Sequence, residues 1–311
     1  MIVRIARNYD FPDLKRQTPN NSFEWNGFKF TEEEIDECDI LVVLNYPKKD
    51  LKVRVREGGT LLLFQEPPYD RLSKQRKFIP YYDYAFTDFD SNHPGHFRKP
   101  AALPWHIGRN YDELVALKPD DLKKDQTISC VTSNTNVNPG HQPRLDFLKY
   151  LQTENFDFDL MGRGFNPIED KFDGIAPYKY SIAIENYQAN DYWTEKIVDC
   201  FLSFTMPIYH GCSNMEDYFP AESFIKIDIN DPEKSLAIIK KAIADNSWEK
   251  NLEAIKVARE KVLNEYQFFP FVVNFFKQNP PKESFKTVNI PHYIADPKPP
   301  LIKRVINKLF K

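Results

Sequence analysis

The sequence predicts an α/β protein of two domains in tandem, each built around a parallel sheet. Three observations lead there. The 311 residues exceed what one ordinary core organises. Short apolar runs of strand length recur in both halves, separated by helical or polar connections. A charged stretch, ALKPDDLKKDQ at 116–126, separates the two series and predicts the interdomain linker.

In the first half, IVRIA (2–6), DILVVLN (39–45), TLLLFQE (60–66) and YAFTDF (84–89) read as buried strands. TEEEIDEC (31–38) predicts a short acidic helix between two of them. In the second half, TISCVTSN (127–134) reads as a strand running into a polar loop. QPRLDFLKYLQT (142–153) reads as an amphipathic helix, with Leu145, Phe147, Leu148 and Leu151 apolar and Pro143 tolerated at its start. FDLMG (158–162), YSIAIEN (180–186), PIYHG (207–211) and SFIKIDI (223–229) are strand-like. Ile197, Val198, Phe201 and Leu202 fall at i, i+1, i+4 and i+5 and predict a helix with one buried face. DPEKSLAIIKKAIADN (231–246) opens with Asp231 as N-cap and Pro232 at N1, and a further helix covers about 248–266. The reading is a first domain at 1–120, a second at 121–275 and a tail at 276–311.

The tail ends in ADPKPPLIKRVINKLFK (295–311). Leu301, Val305 and Leu309 share one helical line, and Ile302, Ile306 and Phe310 the next. Lys303, Arg304, Lys308 and Lys311 flank that face. A basic amphipathic helix over 298–311 suits an anionic bilayer surface, or docks on the protein itself.

Composition bounds the function. Lys and Arg number 42 against 45 Asp and Glu, a net charge of −3, which excludes a global basic footprint for nucleic acid. Cys38, Cys130, Cys200 and Cys212 are scattered without a CxxC pair, the usage of a reducing compartment. MIVRIARNYD enters a strand with no signal-peptide core, and no eighteen-residue apolar run occurs. The expectation is a cytoplasmic protein, with the tail as its membrane contact.

One segment, DYWTEKIVDCFLSF (191–204), places Lys196 near a helix start, where the macrodipole disfavours a cation. An arriving phosphate reverses that cost, because a helix N-terminus offers free N–H groups. A solvated first turn with Lys196 paired to Glu195 or Asp191 accounts for it equally well. Glu195 complements the dipole or accepts from sugar hydroxyls. Tyr192 packs on a base or sugar, or simply on core. The triplets Asp88-Phe89-Asp90 and Asp157-Phe158-Asp159 resemble divalent-ion sites, yet two-residue alternation is also what a strand looks like. None of the six histidines forms an HxH or HxxxH pair, and no bound metal is expected.

Around Lys196 the sequence resembles a known family. YKYSIAIENYQANDYWTEKIVDCFLSFTMPIYHGCSNMEDYFPAESFIKID (178–228) is similar to the donor-binding segment of the α-1,3-fucosyltransferases of glycosyltransferase family 10. That pattern runs Y-K-F-x-x-x-F-E-N-S, D-Y-x-T-E-K, a helix, P-V-x-x-G and F-P-x-x-S-F-I. Tyr178, Lys179, Glu185, Asn186, Asp191, Tyr192, Thr194, Glu195 and Lys196 fall on it in order, followed by Pro207, Gly211, Phe219, Pro220, Ser223, Phe224 and Ile225. Ile184 stands for the usual Phe and Tyr187 for the usual Ser. Upstream, CVTSNTNVNPGHQPRLDFLKYL resembles the family's strand, loop, arginine and helix, and LLLFQEPPYD its short element with a catalytic glutamate.

The resemblance implies the GT-B architecture, two Rossmann-like domains facing a cleft. It implies GDP-fucose as donor, held by Arg144, Glu185, Asn186, Tyr192, Thr194, Glu195 and Lys196, with no metal. It also implies Glu66 as general base. Pro67 and Pro68 would hold its loop extended, and a strand end facing a cleft would partly desolvate its carboxylate; an exposed loop glutamate is the alternative. The expected reaction is inverting transfer of L-fucose to a glycan hydroxyl, on lipopolysaccharide or another cell-surface glycan. Two alternatives stay open: a relative using another nucleotide sugar, and a non-catalytic glycan binder.

Overall fold

The structure is a computed structural model that describes residues 1–67, 69, 74–100 and 102–292. The first half supplies nine strands: β1 (Ile2–Arg7), β2 (Glu24–Trp25), β3 (Phe28–Thr31), β4 (Glu37–Cys38), β5 (Ile40–Leu44), β6 (Leu51–Arg56), β7 (Thr60–Leu63), β8 (Tyr84–Thr87) and β9 (His96–Arg98). Seven of them form one sheet in the order β2-β3-β1-β5-β7-β8-β9, parallel except for the β2–β3 pairing. All five residues of β5 are buried, as a central strand covered on both faces requires.

The second sheet runs β11 (Asp159–Met161), β10 (Gln126–Val131), β12 (Tyr178–Ile184), β13 (Met206–His210), β14 (Ile225–Lys226), and every pairing in it is parallel. The helices are α1 (Tyr111–Ala116), α2 (His141–Thr153), α3 (Glu195–Leu202), α4 (Pro232–Ala244), α5 (Ser247–Lys250), α6 (Leu252–Lys261) and α7 (Phe268–Gln278). Asp231 caps α4, accepting from the Lys234 amide. Two parallel-sheet domains facing one cleft is the GT-B arrangement.

The packing groups the chain differently from bounds at 120 and 275. Trp105, Ile107 and Leu114 belong to the core of the second domain. In return α7 buries Phe268, Phe269, Val272, Val273 and Phe276 against Val3, Ile5 and Leu44 of the first sheet. Each such ring contributes roughly 1.5–3 kcal/mol by leaving water. A last strand, β15 (Phe285–Ile290), then pairs antiparallel with β6, which β4 joins on its other side. The first domain is therefore closed by the end of the described chain.

Three expectations need correcting. TEEEIDEC forms no helix; β3 ends at Thr31 and only Glu37–Cys38 is regular. A helix there would stack Glu33 over Glu37 and Glu32 over Asp36, like charges at i,i+4. Extended, the carboxylates reach separate cations instead: Glu32 meets Arg7, Glu34 meets Lys49 and Glu37 meets Arg54. SFIKIDI keeps only Ile225–Lys226 as strand. Within 276–292, the expected tail carries the end of α7 and all of β15, while the basic segment 298–311 lies outside the described residues. No described helix is long and apolar enough to cross a membrane.

Candidate active site

Between the domains lies a cavity of about 330 Å³. From the first domain it is lined by the loops after β1, β5 and β7, with Tyr9, Asn45, Gln65 and Glu66. From the second it is lined by Asn186, Tyr192, Thr194, Glu195 and Lys196. These positions lie beyond the carboxyl ends of parallel strands, where open α/β sheets bind ligands.

The second-domain wall is built around a buried carboxylate. Glu185, one residue past β12, is 2% exposed. It accepts from the Thr194 amide at 2.8 Å, from Thr194 Oγ1 at 2.7 Å and from Lys196 Nζ at 3.0 Å. Thr194 is the N-cap of α3 and accepts from the Lys196 amide. Lys196 Nζ also donates to Thr194 Oγ1 at 3.0 Å. Burial alone would lower its pKa, but Glu185 and Glu195 outweigh that and hold it above its ordinary value. The anion that offsets the helix dipole in the ligand-free protein is therefore Glu185. Asp191 plays no part in it; its side chain accepts from Asn214 and Tyr218. An ammonium has three donors. Two of those on Lys196 are engaged, and the side chain borders the cavity.

Glu195 sits 3.7 Å from Lys196 and 3.8 Å from His106. Burial would raise its pKa, yet Lys196, His106 and Lys171 draw it well below the carboxylate range. It is a fixed acceptor, suited to hydroxyls. Tyr192 is buried, which pushes its hydroxyl well above the ordinary phenol value. Its ring packs edge-on against Tyr187, and Tyr187 against Tyr69 of the first domain.

Arg144, on α2, does not border the cleft. It is 4% exposed. It donates to Asn186 Oδ1 at 2.8 Å and to the Ser133 and Thr135 carbonyls at 3.0 and 3.3 Å, and Nε has no partner. Burial lowers its pKa. Asn186 stands between it and the cavity, and its backbone carbonyl accepts from the Tyr69 hydroxyl. The structure thus brings Glu66, Asn186, Tyr192, Thr194, Glu195 and Lys196 to one surface and sets Arg144 and Glu185 behind it.

On the opposite wall Gln65 fixes the loop that carries Glu66. Its amide donates to Asn45 Oδ1, its Nε2 to the Ala102 carbonyl, and its Oε1 accepts from Tyr9. Pro67 is buried, while Pro68 lies outside the described residues. Glu66 itself is exposed, so the desolvation expected of its carboxylate is not seen.

Sequence reasoning missed two features. His106 borders the cavity beside Glu195. Asp199, fully buried on α3, accepts from the His106 amide at 3.0 Å and from Lys171 Nζ at 2.7 Å. A carboxylate within the apolar run IVDCFL was the available signal. Among the DxD residues, Asp88 is buried with both oxygens unpartnered, Asp90 pairs with Arg98, and Asp159 accepts from Tyr178. Among the described residues no group of three or more His, Cys, Asp or Glu is placed to hold a metal ion.

Fold and cleft define the class of architecture, two facing α/β domains with a cavity between them. Residues 122–251 match the model of Glycosyltransferase family 10 (fucosyltransferase) C-term. Mouse 4-galactosyl-N-acetylglucosaminide 3-alpha-L-fucosyltransferase 9 is 31% identical over 129 residues, 40% of this chain and 35% of the relative. The alpha-(1,3)-fucosyltransferase FucT of Helicobacter pylori is 36% identical over 64 residues, 21% of this chain and 13% of the relative. The matches span about a third or less of these curated relatives. A solved alpha1,3-fucosyltransferase with GDP is 16% identical, with a TM-score of 0.49, covering 86% of this chain and 92% of that one.

Proposed function

We propose that the protein is an inverting glycosyltransferase that moves L-fucose from GDP-fucose to a hydroxyl of a glycan, in the manner of an α-1,3-fucosyltransferase. One observation carries the reading: a carboxylate from the first domain, Glu66, and the Lys196 end of α3 from the second line the same cavity. Inverting transfer needs a base on one side of the sugar and a charge-stabilised leaving group on the other. The family match of the second domain supports the donor, and the names of the relatives support fucose.

In this reading the diphosphate lies at the start of α3. Its oxygens take the remaining donor of Lys196, and the amide of Asn186 is held toward them by Arg144. Glu195 and Tyr192 orient ribose and sugar. Glu66 accepts the proton of the acceptor hydroxyl as that oxygen attacks the anomeric carbon. The bond from that carbon to the β-phosphate oxygen breaks, and GDP departs carrying the charge. The charge that builds on GDP meets Lys196 and the α3 dipole, so no metal is required. One displacement converts a β-linked donor to an α product. The carboxylate pair Glu185 and Glu195 keeps Lys196 protonated before the donor arrives.

Calorimetry against GDP, UDP, CMP and dTDP, followed by product analysis with the matching sugar nucleotides, tests the donor. GDP should bind tightest, and GDP-fucose should give a fucosylated product. Preference for UDP overturns the donor assignment and favours a relative using another sugar.

A further inference from the structure

The first-domain loops that wall the cleft have a second face. Asn8, Tyr9, Phe11 and Asn45 border the cleft. Arg7, at the end of β1, and Asp10, Pro47 and Lys48, from the same two loops, border a separate cavity of about 610 Å³. Both are bordered by residues at the carboxyl ends of β1 and β5.

The charges around this second cavity are not distributed evenly. At its mouth each cation has a carboxylate: Arg7 pairs with Glu32, Lys48 with Asp10 and Lys49 with Glu34. Arg4 differs. It lines the cavity from β1 and is 6% exposed. Nη1 donates to the Ile35 carbonyl at 2.8 Å. Nε is buried with no partner, and no carboxylate forms an ion pair with it among the described residues. Glu34, also on the cavity wall, is a carboxylate whose charge reaches Arg4 without an ion pair, and burying a guanidinium without a directly bonded counter-charge is unfavourable. Its planar fork of donors suits two oxygens of a carboxylate or phosphate.

We propose that this cavity is an acceptor subsite for an oxyanion, in which Arg4 takes a carboxylate or phosphate group carried by the glycan whose hydroxyl lies in the cleft. That the anion belongs to an acceptor rests on the transferase reading. That the cavity binds an anion does not. The substrate class becomes an acidic glycan, bearing either a uronic-type sugar or a phosphorylated one.

The test is calorimetric titration of the GDP-saturated protein, so that the donor site cannot take the probe. Methyl β-D-glucuronide supplies a carboxylate, glucose 6-phosphate a phosphate, and methyl β-D-glucoside is the neutral control. At least one anionic probe should bind tenfold or more tightly than the glucoside, and the tighter of the two names the source of the anion. Arg4→Met should abolish the preference while GDP affinity stays unchanged, which also shows that the variant is folded. Equal binding of all three probes, or a preference that survives Arg4→Met, overturns the proposal. Should Arg4→Met fail to fold, Glu34→Gln decides, since it releases Lys49 at the mouth. Anion affinity should then rise several-fold, and unchanged affinity overturns the site. Failure of GDP to bind the wild-type protein overturns the donor reading, and the probe titration still reads the anion site because it needs no turnover.

Discussion

Residues explain most of what the cleft can do. Lys196 was singled out for sitting at the wrong end of a helix dipole, and its partner proved to be Glu185, eleven positions earlier on another element. The spacing EN…DYWTEK was visible in the sequence, but the bond across it was not, because contact between a strand end and a helix cap is a product of the fold. Arg144 was legible as a residue but not as a depth. Its burial behind Asn186 depends on how α2 approaches β12. Asp88 shows a different kind of hidden property. Burial raises its pKa from 3.8 to about 6, so the folded state binds its proton more tightly than the unfolded state. Stability is therefore lost as pH rises from about 4 through 6. At 1.36 kcal/mol per pKa unit the gap is roughly 3 kcal/mol. Asp88→Asn should be more stable than wild type above about pH 7, with the gain shrinking toward zero near pH 4. Denaturant melts across that range check it, and a gain that ignores pH would remove burial as the cause.

Elements differ in how openly the sequence announces them. The parallel strands β1, β5, β7, β8, β10, β12 and β13 were legible because each is a short apolar run, whereas β3, β4 and β9, with FKFT, EC and HFR, were not. LKVRVR, now β6, also carried a signal, a strict alternation of buried and exposed positions, but its charges masked it. TEEEIDEC looked helical by composition, and pairing with distant arginines and lysines overrode that. The aromatic run around FFPFVVNFF could not be assigned by periodicity, since a buried helix and a buried strand look alike there; it is α7. The junction of α2 with β12 makes an element-scale prediction. A Cβ on Gly140 would sit 1.6 Å from the Asn186 carbonyl and 2.5 Å from the Tyr69 hydroxyl. Gly140→Ala must therefore push the start of α2 away and loosen the Arg144–Asn186 bond. A loss of about 1–3 kcal/mol in stability is expected, together with weaker GDP binding by calorimetry. Wild-type values for both would show that the Asn186 loop yields freely.

At the scale of the whole molecule, the interleaved ends were the least legible feature. Sequence places the residues of α7 mostly in the second domain and those of β15 in a tail, yet both complete the first domain. Nothing local encodes a strand that returns to pair with β6, Phe285 opposite Arg56 and Ile290 opposite Leu51. Beyond residue 292 the basic segment 298–311 remains a sequence-based proposal for an anionic membrane contact. Truncation before Pro297 should abolish sedimentation with phosphatidylserine vesicles and leave turnover on a soluble acceptor intact. Equal sedimentation of both forms would remove the anchor. The proposed mechanism makes a sharper demand, because it draws base and leaving-group stabiliser from different domains. Glu66→Gln keeps the shape of the side chain and removes the proton acceptor. Its kcat should fall about 10²–10⁴-fold, while GDP affinity, set by the other wall, stays at the wild-type value. Near-full turnover of Glu66→Gln at saturating acceptor would contradict the account.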